Sequence, residues 1–577
     1  MSEPRAWRAE LSLPDFPRNL AAMLNRNAER LGNRPLYQEV RNGKYMPLGW
    51  RAFQQDVARL QNSLSEHGLR TGDRVAILSA NRQEMLELEL AVMSMGAVAV
   101  PIFAGYPAAQ AQVLVEFCEP RMVAVADAEQ LRKIHSPQQY RLVVHFSDLA
   151  CETGASAMTL AELIGASAPA GEIRGEDVDP DSVCLMMYTS GTMGKPKCVQ
   201  LTHGNILSQQ AAMRVLWQLG PEDRFLSYLP WHHSFGGIYE KYAALYNGAV
   251  LSLEHGCGKN IDTLLDNWRR VQPTVFFSVP RIYHQIATQV LKDPALERLI
   301  FHDELRFVFT AAAPLPKSIS DLFEDRAIPI YEGWGLTETS PCCTVTDPAV
   351  SREPGVVGKP IPGVTLGLAE DGEILVRGPN VMKGYFHNPE ATDAVFREDG
   401  WFATGDVGEF TTAGLRLISR KDRIFKLSNA EKVVPAEIEN LIVQNCCFLS
   451  HAYVTGSGRD YPVALLFPNH AMLSGNVDES RITTGCNCPR DMKDLAHCLA
   501  NCLRKLNERI DAPYLRPSAA MLIDHELSIE DEELTPSMKL APNVVARIFK
   551  ARIEQLYGNG NKAADPTEVY ILNLERP

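Results

Sequence analysis

The sequence predicts an α/β fold: a large N-terminal domain of βα-layered subdomains plus a small β-barrel, followed by a small mobile α+β C-terminal domain. Three observations predict it. Between residues 34 and 127 helical and strand patterns alternate. From 355 to 405 short runs are broken by glycine and proline. Beyond 418 the chain becomes charged and ends on a further helical pattern. At 577 residues the chain exceeds the length at which one core stops growing, so at least two domains are expected.

The elements follow in order. LGWRAFQQDVARLQNSLSEHGL places apolar residues at helical spacing, DRVAILS is a short apolar strand, and EMLELELAVMSMGAVAVPI runs from helix into strand. The same alternation continues through VCLMMYTSG, FLSYLP, AVLSLE, TVFFSVP and ELRFVFTAAAP, as expected for a sheet flanked by helices. VVGKPIPGVTLGLAEDGEILVRGPNVMKGYF suits a small barrel or meander. IEDEELTPSMKLAPNVVARIFKARIEQLYG closes a separate α+β domain. The boundary is expected at residues 420–423, giving domains 1–419 and 424–577, without internal repeats or low-complexity tracts.

Composition excludes several classes. With 70 acidic against 57 basic residues the formal charge is -13, which argues against a nucleic-acid surface and allows at most peripheral membrane contact. No segment approaches the roughly 20 apolar residues of a membrane-spanning helix. MSEPRAWRAELSLPDFP lacks a basic start followed by an apolar run, so a secretory signal is not expected and the reading is cytoplasmic. The 13 cysteines then imply reduced thiols rather than a disulfide scaffold. Cys446-Cys447, Cys486-x-Cys488 and Cys498-x3-Cys502 admit a metal site, but their spacings match structural zinc poorly and favour thiols in core or loop.

The segment YTSGTMGKPK, residues 188–197, follows the apolar strand VCLMM and concentrates hydroxyls, glycines and lysines. Glycine admits backbone N–H groups close to an anion, Thr189, Ser190 and Thr192 add donors, and Lys195 and Lys197 supply charge, so the loop can cradle a polyphosphate. It is not a Walker A loop, because Gly194-Lys195 precedes proline. An ordinary turn is the other reading of its composition.

YTSGTMGKPK with LTHGN resembles the phosphate-loop motif of the adenylate-forming superfamily, which includes acyl-CoA synthetases, peptide-synthetase adenylation domains and firefly luciferase. Further matches follow in order: LPWHHSF, VPRIY, YEGWGLTE, GWFATGD, RKDRIFK, PAEIE and TPSMK. They span roughly residues 35–558. The resemblance implies a domain, 1–419, that holds ATP and the acyl substrate, a hinge at 420–423, and a small catalytic and thiolation domain, 424–577.

It also implies roles. Thr189, Ser190, Gly191, Thr192, Gly194 and Lys197 would hold phosphate. Glu338, with Thr189, resembles the Mg²⁺ site on ATP phosphates, where a hard oxygen ligand is favoured; a helix-end charge is the alternative for Glu338. Gly333, Trp334 and Gly335 would face adenine on one side and Ala312, Ala313 and Pro314 on the other, with Thr337 nearby. Asp406 has two oxygens to accept both ribose hydroxyls, or it stabilises a turn. Arg420 resembles the ribose-contacting arginine. Lys539 matches the lysine that bridges the attacking carboxylate and the α-phosphate, electrostatic stabilisation by a point cation. Asp422 falls at the swivel position, with Lys426, Ala430 and Glu431 on the face that would meet coenzyme A. His233 and Phe235 match the motif bordering the carboxylate and acyl pocket, which Trp231, His232 and Tyr239 would tune.

The spacing from Lys426 to Pro435 is one residue longer than in luciferase and resembles that of long-chain fatty acyl-CoA synthetases. The implied activity is therefore ATP-dependent ligation of a medium- to long-chain fatty acid to coenzyme A, with ATP, Mg²⁺ and coenzyme A as cofactors or co-substrates. Four departures accompany it: Met193 and Cys198 in and after the phosphate loop, alanine at 311 and 312 where glycine precedes Ala-Pro, and Ala430 in a glycine's place. Ala430 keeps open an acyl-AMP ligase that loads the phosphopantetheine of an acyl carrier protein. A non-catalytic nucleotide-binding homologue is the other alternative.

Overall fold

The computed structural model describes residues 5–147, 156–167, 171–189, 197–291, 293–311, 315–350, 352–353, 355–446, 448–473, 489, 491–528, 531–535, 539–558 and 569–574. The chain divides into two compact units, Met1–Thr404 with Glu409–Arg416, and Gly405–Gly408 with Leu417–Pro577.

The first unit holds two large sheets. One contains, in spatial order, Gly384–Tyr385, Lys197–Thr202, Val183–Thr189, Val98–Ile102, Arg74–Leu78, Met122–Val125, Val143–His145 and Ala157–Thr159. From Val183–Thr189 onward its pairs are parallel, while Lys197–Thr202 runs antiparallel to both of its neighbours. Val75, Ala76, Ile77 and Leu78 are all fully buried, as expected when helices cover both faces of a parallel sheet.

The second large sheet is ordered Lys359–Pro360, Thr344–Val345, Ile330–Trp334, Phe307–Thr310, Val275–Ser278, Arg224–Ser227, Val250–Leu253, Pro35–Arg41 and Lys44–Gly49. Between these sheets' strands run helices of the expected kind. Trp50–Glu66 buries Phe53, Val57, Leu60 and Leu64 along one stripe. Gln83–Ser94 is buried from Met85 to Ser94, Glu87 and Glu89 included, so it is a core helix despite its two carboxylates.

Residues 355–420 add strands to a five-stranded sheet ordered Arg5–Arg8, Thr365–Leu368, Glu373–Arg377, Phe402–Phe410 and Leu415–Arg420. Its first strand comes from the chain's beginning, pairing Arg5 with Leu368 and Arg8 with Thr365.

The second unit contains a four-stranded sheet, Leu449–Thr455, Val463–Pro468, Ala519–Ile523 and Val569–Asn573. One core beside it joins Ile438, Ile442, Leu495, Leu499 and Leu503 from the helices Pro435–Gln444 and Met492–Glu508. A second joins Val463, Leu465, Met521, Val545 and Phe549.

Candidate active site

The ends of the phosphate-loop motif lie on two antiparallel strands. Val183–Thr189 and Lys197–Thr202 pair so that Thr189 stands directly opposite Lys197. Ser190, Gly191, Thr192, Met193, Gly194 and Lys195 lie outside the described residues, as do Ala312, Ala313 and Pro314. Alternation along the strand separates the two residues at its start. Lys197 is half-buried, whereas Cys198 points into the core with Cys118, Val100 and Val123, and burial pushes its thiol well above the ordinary range. The Cys198 departure therefore adds a core side chain.

Lys197 leads to Glu338. The Lys197 ammonium lies 5.2 Å from the centre of the Tyr385 ring, and the Tyr385 hydroxyl donates to Glu338 Oε1 at 2.8 Å. Glu338 sits in the single 3₁₀ turn Thr337–Thr339, nearly buried. Its backbone is pinned as well, since its carbonyl accepts from Met382 N at 2.8 Å. Thr337 Oγ1 and Ser234 Oγ lie 3.1 Å apart, which ties the glutamate's turn to the LPWHHSF segment. Tyr385 was missed in the sequence, because its place depends on pairing of Gly384–Tyr385 with Gln200 and Val199, partners distant along the chain.

Gly333 and Gly335 have a packing reason to be glycine. A Cβ on Gly333 would stand 2.5 Å from Phe309 Cζ, and one on Gly335 would collide with the Pro341 carbonyl oxygen. Trp334 between them is 8% exposed and pairs in register with Thr344.

The LPWHHSF residues divide by environment. Trp231 is fully buried, with its backbone N–H donating to Asn81 Oδ1 at 2.8 Å and the Lys241 ammonium 5.2 Å from its ring. Lys241 and Glu89 form an ion pair with both side chains at 0% exposure, and Tyr242 donates to the same Glu89 oxygen at 3.0 Å. Burial holds the Lys241 ammonium below its ordinary range, and Glu89 opposes that shift. His232 stacks 4.6 Å from Phe103, and burial depresses it to about 3, with His233 adding a smaller repulsion, so it is neutral at physiological pH.

His233 Nδ1 accepts from Phe235 N at 3.3 Å and the His233 carbonyl from Gly237 N at 2.7 Å, which seats it at the entry of the π-helix Phe235–Glu240. Such π-turns recur at functional sites. Phe235 and Tyr239 on that turn pack against Phe277 and Phe309, with centroids 5.1–6.4 Å apart. These two strand residues also face one another in register.

In the second unit Arg420 Nη1 donates to Asp406 Oδ1 at 3.0 Å and Arg420 Nε lies 3.6 Å from Asp422. Gly405 permits this approach: its φ is +72°, and a Cβ there would stand 2.9 Å from Arg420 Nη2. Lys539 is near enough for the charges of both to act on it. Desolvation lowers its ammonium below the ordinary range, Asp406 raises it and Arg420 lowers it further. Solvent still reaches the residue's surface; the desolvation reflects protein crowding around an accessible group rather than a sealed one.

Lys426 and Lys432 stand opposite each other on a two-stranded hairpin, Phe425–Lys426 with Lys432–Val433. Ala430 and Glu431 lie in its exposed turn, where Leu427 N donates to the Glu431 carbonyl at 2.9 Å and Ala430 N to the Leu427 carbonyl at 3.0 Å. Ala430 has φ +66°. The turn therefore retains a left-handed backbone that suits glycine, and alanine occupies it at a steric cost. Cys498 and Cys502 lie on one helix with their sulfurs 4.0 Å apart; Cys447, Cys486 and Cys488 are outside the described residues. Among the described residues no group of three or more His, Cys, Asp or Glu side chains is arranged to hold a metal ion.

The first unit thus brings Lys197, at one end of the phosphate-loop motif, beside the tyrosine that holds the buried Glu338, and the second, taken by itself, carries an Asp–Arg pair with a lysine. The chain belongs to the AMP-binding enzyme family, matched over residues 24–386, with the AMP-binding enzyme C-terminal domain matched over 422–560. It is 26% identical over 605 aligned residues to "Long chain acyl-CoA synthetase 7, peroxisomal" of Arabidopsis thaliana, covering 91% of this chain and 84% of that protein. A feruloyl-CoA synthase of Amycolatopsis sp is 33% identical over 418 residues, 67% of this chain and 75% of the relative. In fold it resembles the A-PCP didomain of carboxylic acid reductase from Segniliparus rugosus in complex with AMP, with TM-score 0.75 and 19% identity over 94% of this chain and 82% of that one. No helix among the described residues is long and apolar enough to cross a membrane.

Proposed function

We propose that this enzyme is an ATP-dependent acyl-CoA ligase for a medium- to long-chain fatty acid. The observation that carries the proposal is Lys539, a partly desolvated cation within the fields of Asp406 and Arg420. An ammonium so placed offsets charge when the acid's carboxylate oxygen forms a bond to the α-phosphorus of ATP and the bond to pyrophosphate breaks. Asp406 accepts the ribose hydroxyls, and Arg420 fixes its carboxylate by the 3.0 Å hydrogen bond. Lys197 and Thr189, opposite each other at the loop's base, meet the phosphates with Ser190, Gly191, Thr192 and Gly194. Trp334, flanked by Gly333 and Gly335, with Thr337 and Ala312–Pro314, faces the adenine.

The donor set fits Mg²⁺. Glu338 is a hard oxygen ligand with one oxygen already held by Tyr385, and the Thr189 hydroxyl is a second. When bound, the ion neutralises charge on the phosphate oxygens.

The second step forms the bond from the thiolate sulfur of coenzyme A to the acyl carbon and breaks the carbon–oxygen bond to AMP. The domain reading is 1–419, hinge 420–423 and 424–577, with Asp422 absorbing the turn that exchanges Lys539 for Lys426, Ala430 and Glu431. His233, Trp231, Phe235 and Tyr239 border the acyl group. The long-chain relative and the Lys426-to-Pro435 spacing support a fatty substrate, and the cytoplasm is the proposed compartment. A carrier-protein phosphopantetheine is the second acceptor reading, favoured by the alanine at 430.

AMP release measured with fatty, aryl and amino acids, with and without coenzyme A, tests the proposal. Fatty acids with coenzyme A should give the highest turnover. Lys539→Ala should abolish acid-dependent pyrophosphate exchange while sparing thiolysis of supplied acyl-adenylate. Exchange with every acid class absent despite ATP binding, or equal loss of both half-reactions in the variant, rejects it.

A further inference from the structure

Lys539 is presented by two short paired segments whose geometry is set from one end. Thr535 N donates to the Lys539 carbonyl at 2.8 Å and Ala541 N to the Glu533 carbonyl at 2.8 Å. Between them Leu534 bridges Leu540. Lys539 N in turn donates to Thr535 Oγ1 at 3.1 Å. The pairing fixes the lysine's backbone from both sides.

Its fixed end is the Glu533 carboxylate. Glu533 is 1% exposed, so its charge must be met within the fold. Both of its oxygens lie 2.8 Å from His525 Nε2, and Oε2 also accepts from Ser528 N at 3.1 Å. The chain around it is closed by Leu534 N to the Ser528 carbonyl at 2.9 Å and by Ser528 Oγ to Asp531 at 2.8 Å.

His525 is itself held. It follows the core strand Ala519–Ile523 by two residues, and its ring meets Phe549 edge-on at 5.7 Å. A continuous chain of contacts therefore runs from the sheet through His525 and Glu533 to the backbone of Lys539.

We infer that His525 and Glu533 are positioning residues for adenylation: the buried carboxylate anchors the paired segments that place the Lys539 ammonium. This rests on the reading of Lys539 given above. A lysine that acts as a point charge is sensitive to displacement, because the stabilisation it gives falls with distance from the developing charge. Among the described residues no contact of Lys426 or Ala430 passes through Glu533, so the thiolysis half-reaction is not expected to need it.

The test uses the full chain with dodecanoic acid and dodecanoyl-adenylate as probes. In Glu533→Ala, the rate of acid-dependent pyrophosphate exchange should fall at least about tenfold, with thiolysis of the adenylate within about twofold of the unmodified enzyme. Amide exchange across 531–541 should accelerate at least about tenfold, while that of helix Met492–Glu508 stays unchanged. Glu533→Gln, which keeps an acceptor for Ser528 N and His525, should recover most of the loss. Adding Glu533→Ala to Lys539→Ala should slow exchange no further, as expected for residues acting as a unit. If Glu533→Ala does not fold, His525→Gln, on the solvent side of the pair, replaces it with the same expectations. Unchanged amide protection across 531–541, or equal loss of both half-reactions, overturns the inference. Intact pyrophosphate exchange in Lys539→Ala instead rejects the role assigned to the lysine, and amide protection still decides whether Glu533 anchors the paired segments.

Discussion

Glu89→Gln isolates the buried ion pair behind Trp231. The amide keeps the shape and an oxygen for Tyr242 but removes the charge opposing Lys241, whose side chain has 0% exposure. Breaking a buried pair by removing one partner costs about 3–5 kcal/mol. The cost is capped because Lys241 can discard its proton: giving it up at pH 7 against an unfolded value near 10.4 costs roughly 5 kcal/mol at 1.36 kcal/mol per pH unit. In the variant the unfolded chain then binds a proton at Lys241 that the folded chain does not, so stability rises with pH. At pH 9 the same cap is about 2 kcal/mol. Urea unfolding read by amide-exchange protection of peptides 83–94 and 235–247, at both pH values, measures the difference from the unmodified protein. A loss below about 1 kcal/mol at pH 7, or one that does not shrink by pH 9, refutes the reasoning, since an unopposed buried ammonium permits neither.

Two further substitutions probe the site directly. Tyr385→Phe removes the hydroxyl that donates to Glu338 at 2.8 Å but keeps the ring beside Lys197; a hydrogen bond to a charged group contributes about 1.5–3 kcal/mol, so kcat/KM for ATP in pyrophosphate exchange should fall about 10- to 150-fold, and an unchanged value removes Tyr385 from the site. Ala430→Gly relieves a left-handed alanine, worth about 1–2 kcal/mol against glycine's entropic penalty of about 0.5–1 kcal/mol. Urea unfolding should therefore show a gain of up to about 1.5 kcal/mol, with coenzyme A-dependent AMP release no slower, whereas Ala430→Val should lose stability; a destabilised glycine variant contradicts the strain.

The strands and the ordered motifs were legible because they depend on short-range patterns. VAIL in Arg74–Leu78 reads as a buried strand wherever its neighbours come from, and the order of residues from Thr189 to Lys539 survives without any knowledge of distance. What escaped notice depends on partners far apart in sequence. Glu89 on a helix reads as a solvated face, since carboxylates are rarely buried unless paired, and its partner Lys241 is 152 positions away. Arg5–Arg8 carries no signal for the strand near 365 that it joins. Trp231 packs beside Lys241 and Tyr37, contacts that the local motif does not reveal because neither partner lies within it. Ala430 shows the opposite case: its place in a glycine's position was readable from the motif, and the positive φ supplies the physical reason that position favours glycine.

The charge at Lys539 links these observations to the chemistry. Desolvation lowers its ammonium, while Asp406 acts against that shift and Arg420 with it. A cation in this state has given up part of its hydration without a full complement of negative charge. In the proposed reaction two anions, a carboxylate and an α-phosphate, would supply what is missing and raise its proton affinity as they arrive. The developing charge would there meet an ammonium that solvent still reaches but that protein crowds, which strengthens its field relative to a lysine surrounded by water alone. Asp406 has a divided task in this account, accepting ribose hydroxyls and sustaining the lysine's charge. The Arg420 bond holds that carboxylate in place for both.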